Sequence, residues 1–297
     1  MRQIRELLRE FVWTLFDRTP ASSPSNPNRW SDGVTIALWH RACNGLSARL
    51  TRNWAPHAVL NKAKAPLVSF SFDDFPHSAA NEGAQILDYF AVKGTYFVSG
   101  ARAGRRVEGL DHFTEDDLAE IAKCGHEIGC HTFSHIRLSK ASQSEIETDL
   151  ARNQEFIKRV LGNYATTSFA YPYGDVSIET KNLLGQRFPV CRGIDGGVNR
   201  GRIDFRQLKA VVLTRTLDYS RIARILSAAQ ASNGWVIFFT HDISEKPSEF
   251  GCRPAELATI MREVVDRGME ILPVRSAAEK VLCSESVLGL NLVQANA

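Results

Sequence analysis

From Pro66 onward the sequence alternates between two hydrophobic periods, and this alternation narrows the fold more than any other feature. Apolar runs of strand length occupy 67–72, 94–98, 127–131, 167–171, 189–193, 210–214, 235–240 and 269–272. Between most of them lie helical patterns, at roughly 79–92, 115–124, 143–161, 177–187, 219–232 and 254–267. Thr114 with Asp117, and Ser142 with Glu145, are capping signals that open two of these helices; Gly125 and Gly162 close them. Strands without a polar face must be covered on both sides, and strand–helix alternation supplies that cover, which predicts a parallel sheet. Eight such strands predict an α/β fold, a distorted, TIM-barrel-like (β/α) barrel of seven to eight strands. The glycine-rich stretch 193–210 has no helical period, so the barrel should be irregular there.

Reactive groups in such barrels gather at the carboxyl ends of the strands. Four polar clusters stand at those ends: Asp73-Asp74, His131 with His135, Tyr171-Pro172-Tyr173-Gly174, and His241-Asp242. His131 and His135 are four residues apart, a spacing that on a helical turn puts two imidazoles on one face, where they can converge on one metal ion. Two histidines and an aspartate make the ligand set of a catalytic zinc with one position left for water. In an extended segment Asp73 and Asp74 point apart, so one carboxylate can face a metal while the other faces the water. His126 and His77 are expected in turn and loop roles instead.

The remainder bounds the class. The 297 residues divide into an N-terminal extension over 1–60, a barrel over 61–285 and a tail over 286–297. A net charge of +3, without an arginine-rich run, argues against nucleic acid as a partner. Six cysteines, at 43, 124, 130, 191, 252 and 283, show no paired spacing and are expected to be free thiols. Met1–Pro20 carries charges through its apolar positions instead of the uninterrupted core of a secretion signal, so the expected location is cytoplasmic. Ile4, Leu7, Leu8, Phe11, Val12, Leu15 and Phe16 recur at helical spacing. They predict a helical extension that packs on its own domain or a second subunit, or one that makes peripheral membrane contact through 1–18. The oligomeric state is left open.

Over 65–275 the chain resembles the polysaccharide deacetylase family, the nodulation-factor deacetylase-like proteins of carbohydrate esterase family four. The motifs that carry the resemblance are Phe72-Asp73-Asp74, His131-Thr132-Phe133-Ser134-His135, Ala170-Tyr171-Pro172-Tyr173-Gly174 and Phe239-Thr240-His241. The resemblance implies a divalent metal ion, zinc first, on Asp74, His131 and His135. It further implies Asp73 as general base, His241 as general acid and the backbone N–H of Tyr173 as an oxyanion donor. The implied activity is metal-dependent removal of an N-acyl group, acetyl foremost, from a sugar or glycan precursor. An amide or ureide hydrolase acting on a small non-sugar substrate, or a catalytically impaired carbohydrate-binding relative, is the alternative.

Three positions depart from the family pattern. Phe75 replaces a glycine after the aspartate pair, so the loop is expected to turn differently and to narrow the pocket. Ala170 replaces an arginine that orients the catalytic aspartate. The fourth motif has no tryptophan; Arg192 or Asp195 is expected to provide a substitute charge, Arg192 by taking over the lost arginine's place beside Asp73.

Overall fold

The computed structural model describes residue 51 and residues 54–282. The predicted helix over 1–20, its membrane contact, and the tail over 286–297 lie outside the described residues. Among the described residues no helix is long and apolar enough to cross a membrane.

The strands are β1 (Leu67–Asp73), β2 (Thr95–Val98), β3 (Glu127–Cys130), β4 (Ser168–Ala170), β5 (Val190–Arg192), β6 (Val211–Val212), β7 (Trp235–Thr240) and β8 (Glu270–Ile271). The helices are α1 (Ala84–Tyr89), α2 (Glu115–Lys123), α3 (Gln143–Leu161), α4 (Ile178–Arg187), α5 (Tyr219–Gln230), α6 (Pro254–Asp266) and α7 (Val274–Leu282). Seven parallel strands form a curled sheet in the order β6-β7-β1-β2-β3-β4-β5. β8 stands off that path and pairs with Leu67 and Val68 of β1. The barrel is therefore a distorted one, with seven strands in its wall and an eighth as a branch.

The seam between β5 and β7 is spanned by one segment that bonds to both. The Leu208 N–H donates to Cys191 O, the Gly193 N–H to Leu208 O, and the Leu213 N–H to Phe239 O. This is the irregular stretch that the glycines predicted. Two residues of it, Arg202–Ile203, pair instead with Val59–Leu60.

β1 is the axis of the sheet, with all seven residues buried. Its two faces differ, which sequence reading did not anticipate. Val68, Phe70 and Phe72 join a core with Leu87 of α1, Ile222 of α5 and Leu257 of α6. Ser69, Ser71 and Asp73 alternate with them and share the other face. The serines are satisfied there: Trp235 Nε1–H donates to Ser69 Oγ at 2.9 Å, and Ser71 Oγ–H to Phe238 O at 3.1 Å. A polar row thus leads to Asp73 without leaving an unpaired group on the way.

Both predicted capping boxes form, Thr114–Asp117 on α2 and Ser142–Glu145 on α3. Helix α7 was not predicted, although Val274, Ala277, Ala278 and Val281 recur at helical spacing and are buried. Its first turn docks on the amino ends of β2 and β3. There the Val274 N–H donates to Thr95 Oγ1 and the Arg275 N–H to the Glu127 carboxylate, both at 2.9 Å. α7 therefore covers the end of the barrel opposite the strand-end loops.

Candidate active site

The loops after β1, β3 and β4 bend through the left-handed region. Of eight non-glycine residues with positive φ among those described, five lie in these loops: Asp74, Phe75, Thr132, His135 and Tyr173. Clustering of that kind marks sites whose geometry the surrounding fold over-determines.

Asp73 ends β1, and Asp74 (φ 59°) and Phe75 (φ 56°) turn the chain immediately after it. The two carboxylates diverge because of this turn, not because the segment stays extended as expected. Phe75 takes the left-handed conformation a glycine would supply. Its ring does not narrow the site. It is fully buried, against Phe113 at 4.7 Å and Tyr96 at 4.8 Å between ring centroids.

The His131–His135 segment is a loop and not the helical turn that the spacing suggested. Thr132 (φ 62°) and His135 (φ 51°) fold it back. Asp149 on α3 holds it there, its Oδ1 accepting the Phe133 N–H at 2.7 Å and the Ser134 N–H at 3.0 Å. Asp149 had no distinguishing signal in the sequence.

These turns bring together one ligand atom each from Asp74, His131 and His135, all within 4.8 Å of one another. His135 Nε2 lies 3.4 Å and His131 Nε2 3.9 Å from Asp74 Oδ1. His131 Nδ1–H donates to Ala170 O at 2.8 Å, which fixes the ring and leaves Nε2 as the free lone pair. Ala170 thus contributes its carbonyl where the family pattern carries a side chain.

Asp73 is paired with Arg192 of β5, whose Nη2 donates to both carboxylate oxygens. The guanidinium is fully buried, 5.1 Å from the Phe97 ring centroid and 4.6 Å from that of Phe239. The expectation for Arg192 is therefore met in space. Asp195 is elsewhere, accepting from Gln207 at 3.3 Å.

His241 Nδ1–H donates to Phe250 O at 3.3 Å and its Nε2 faces Asp74 Oδ2 at 3.9 Å. Its neighbour Asp242 turns away and binds Ser248 through both N–H and Oγ–H. The Tyr173 ring packs on His135, centroids 4.4 Å apart, and carries the Arg137 guanidinium 4.0 Å from its centroid. His77 and His126 fall outside the site, as expected: His77 bonds Asp117 at the start of α2, and His126 is a buried residue facing Gly94.

One residue was missed altogether. Arg102, just past β2 and nearly buried, places Nε 3.2 Å from Asp74 Oδ1, Nη2 3.2 Å from His135 Nδ1 and Nη1 3.3 Å from His112 Nε2. The only sequence signal was its place at a strand end.

Burial governs the protonation of this cluster. It pushes Asp74 up to about 6, against the opposing charges of Arg102 and His241. Burial, followed by His131 and Arg102, carries His135 down to about 2. His131 is held well below the usual imidazole range by burial and then by Arg192. Both imidazoles are therefore neutral, the form that binds metals.

The residues present fit a divalent cation. Asp74 Oδ1 is buried without a hydrogen-bond partner, and two neutral imidazoles face it. A buried carboxylate oxygen left in that state is costly unless a cation completes it.

The polysaccharide deacetylase family model matches residues 60–187, which takes in the strand-end loops of Asp73, Asp74, His131, His135 and Tyr173. Residues 60–187 belong to the polysaccharide deacetylase family. A peptidoglycan-N-acetylglucosamine deacetylase of Bacillus cereus is 33% identical over 119 residues, 39% of this chain and 38% of that protein. Chitin deacetylase 1 of Cryptococcus neoformans is 33% identical over 116 residues, 39% of this chain and 23% of that protein. The chain thus spans well under half the length of these curated relatives.

Among solved structures, the Xyl-CE4 domain of a multidomain xylanase from the hindgut metagenome of Trinervitermes trinervoides aligns with a TM-score of 0.52 at 18% identity, over 73% of this chain and 91% of that one. A family 4 acetyl xylan esterase from Clostridium thermocellum, in complex with a cobalt ion, aligns with a TM-score of 0.52 at 22% identity, over 71% and 89%. These likenesses show the fold alone.

Proposed function

We propose that the deacetylase domain is a metal-dependent hydrolase that removes an N-acyl group, acetyl foremost, from a sugar or glycan precursor. The observation that carries this reading is the meeting of Asp74, His131 and His135, with Asp73 and His241 beside them. Asp74, His131 and His135 would hold one divalent ion, zinc first by its donor set. When bound, such an ion acidifies water and polarises the acyl oxygen.

The chain's own residues do the remainder. Asp73, kept in one orientation by Arg192, accepts the proton that water gives up as it attacks the acyl carbon. The backbone N–H of Tyr173, presented by a left-handed turn, donates to the developing oxyanion. His241, fixed through Nδ1 on Phe250 O, delivers a proton from Nε2 to the departing amine. The relatives named for peptidoglycan and chitin deacetylation support a sugar amide as substrate over a small non-sugar amide. The case for an impaired carbohydrate-binding relative rested on the missing arginine and on the fourth motif without its tryptophan; Arg192 beside Asp73 weakens the first of these grounds and leaves the second. The free thiols of Cys124, Cys130, Cys191 and Cys252 support the reducing, cytoplasmic setting expected from the sequence.

The test is metal content beside turnover of acetylated chito-oligosaccharides by the full chain, in wild type and Asp73→Asn. One equivalent of metal in both proteins, with turnover lost only in the variant, is the expected result. A protein without metal sinks the reading.

A further inference from the structure

We infer that Arg102 is a displaceable counter-cation: its guanidinium stands where the divalent ion's charge belongs and withdraws when that ion binds. The inference rests on the proposed metal reading of Asp74, His131 and His135.

Three observations carry it. First, Arg102 Nε lies 3.2 Å from Asp74 Oδ1, yet both atoms remain without a hydrogen-bond partner. The guanidinium supplies opposite charge without directing an N–H at the oxygen. An arginine built to stay makes a directed pair, as Arg192 does with Asp73.

Second, Arg102 Nη2 lies 3.2 Å from His135 Nδ1. Arginine only donates, so Nδ1 accepts and the imidazole proton sits on Nε2, the nitrogen 3.4 Å from Asp74 Oδ1. For Nε2 to become a ligand, that proton must move to Nδ1, where it would meet the Nη2 donor. Ligation by His135 Nε2 and this Arg102 contact therefore exclude each other.

Third, the guanidinium has partners on the side away from Asp74. His112 Nδ1–H donates to Leu110 O at 3.1 Å, which turns the Nε2 lone pair toward Arg102 Nη1 at 3.3 Å, and the exposed Glu108 carboxylate stands 4.0 Å from the same Nη1. A small retreat toward Glu108 exchanges one carboxylate for another. The buried site then keeps a positive charge in both states, and Arg102 lowers metal affinity by the charge that has to be moved.

The test is calorimetric titration of the chelator-treated full chain with zinc and with cobalt, in wild type, R102M, R102K and H131A. Arg102→Met is expected to bind at least about tenfold more tightly than wild type. Arg102→Lys keeps the charge on a compact head without the fork that reaches both Asp74 and His135. It is expected to tighten binding by about threefold, and it decides the matter if R102M does not fold. His131→Ala is expected to lose binding. Tightness unchanged or reduced in the Arg102 variants, with H131A still deficient, overturns the role of Arg102 alone. Binding by H131A equal to wild type overturns the metal reading, and the inference with it.

Discussion

Two aspartates adjacent in sequence each meet an arginine, and the pairs are built on different plans. Asp73 has both oxygens bonded by Arg192, a fully buried guanidinium lying near the Phe97 and Phe239 rings. Asp74 touches Arg102 at 3.2 Å with neither atom satisfied. In the first pair every carboxylate oxygen has a donor, although Arg192 Nε is itself buried without a hydrogen-bond partner, and under the proposed function the carboxylate is held for proton transfer. The second is charge-balanced but incomplete, as a site awaiting a ligand should be. A buried ion pair is thus read by how its atoms are satisfied, because the distance alone would class both as salt bridges.

The largest expected effect is on turnover. Asp73→Asn should lower kcat by about 10²–10⁴-fold with metal content unchanged; metal lost together with turnover would mean that the two aspartates do not divide the work. Next comes stability. Arg192→Met leaves Asp73 buried and uncompensated and should cost about 3–5 kcal/mol in urea unfolding, against about 1 kcal/mol for Arg102→Met. Equal costs would break the contrast between the pairs.

A buried polar atom outside the site extends the contrast. His126 accepts the Gly94 N–H on Nδ1 and has Nε2 buried without a hydrogen-bond partner, 3.9 Å from Asp88 Oδ1; burial, against that opposite charge, lowers it to about 4 from the ordinary 6.5. The unfolded chain takes up this proton near pH 6.5 and the folded chain only near 4. Its contribution is therefore fully present above pH 6.5 and is lost as pH falls toward 4, by about 3 kcal/mol in all. Unfolding of wild type and His126→Asn compared at pH 7 and pH 4.5 should show a flatter profile in the variant, and parallel profiles would refute it. The smallest effect is ligand-induced: zinc at a hundred times its Kd should stabilise wild type by about 2.7 kcal/mol and leave Asp74→Asn unmoved. A shift in both proteins would place the ion elsewhere.

What was legible in the sequence follows from which forces are local. Strand and helix positions could be read because burial imposes periods of two and 3.6 on the text, and the caps at Thr114 and Ser142 because they are closed within four residues. The meeting of Asp74, His131 and His135 was legible as residue types, but the path to it was not. The His131 loop works through left-handed residues held by Asp149, and neither the turn nor its anchor leaves a periodic trace. Arg102 was invisible for the same reason. Its contacts with His112, Asp74 and His135 lie 10, 28 and 33 residues away in the chain, and only folding makes them neighbours.

The docking of α7 beneath the strands has a consequence for traffic. With Thr95 and Glu127 engaged by its first turn and Trp235 and Ile237 packed in one cluster with its Val274, that end of the barrel is closed among the described residues. Under the proposed function, reactants and products would therefore pass through the mouth ringed by Asp74, His135, Tyr173 and His241 at the other end. If the substrate is a long glycan, it would lie across that mouth with one residue dipping in, because the described residues leave no exit on the far side for a thread drawn through.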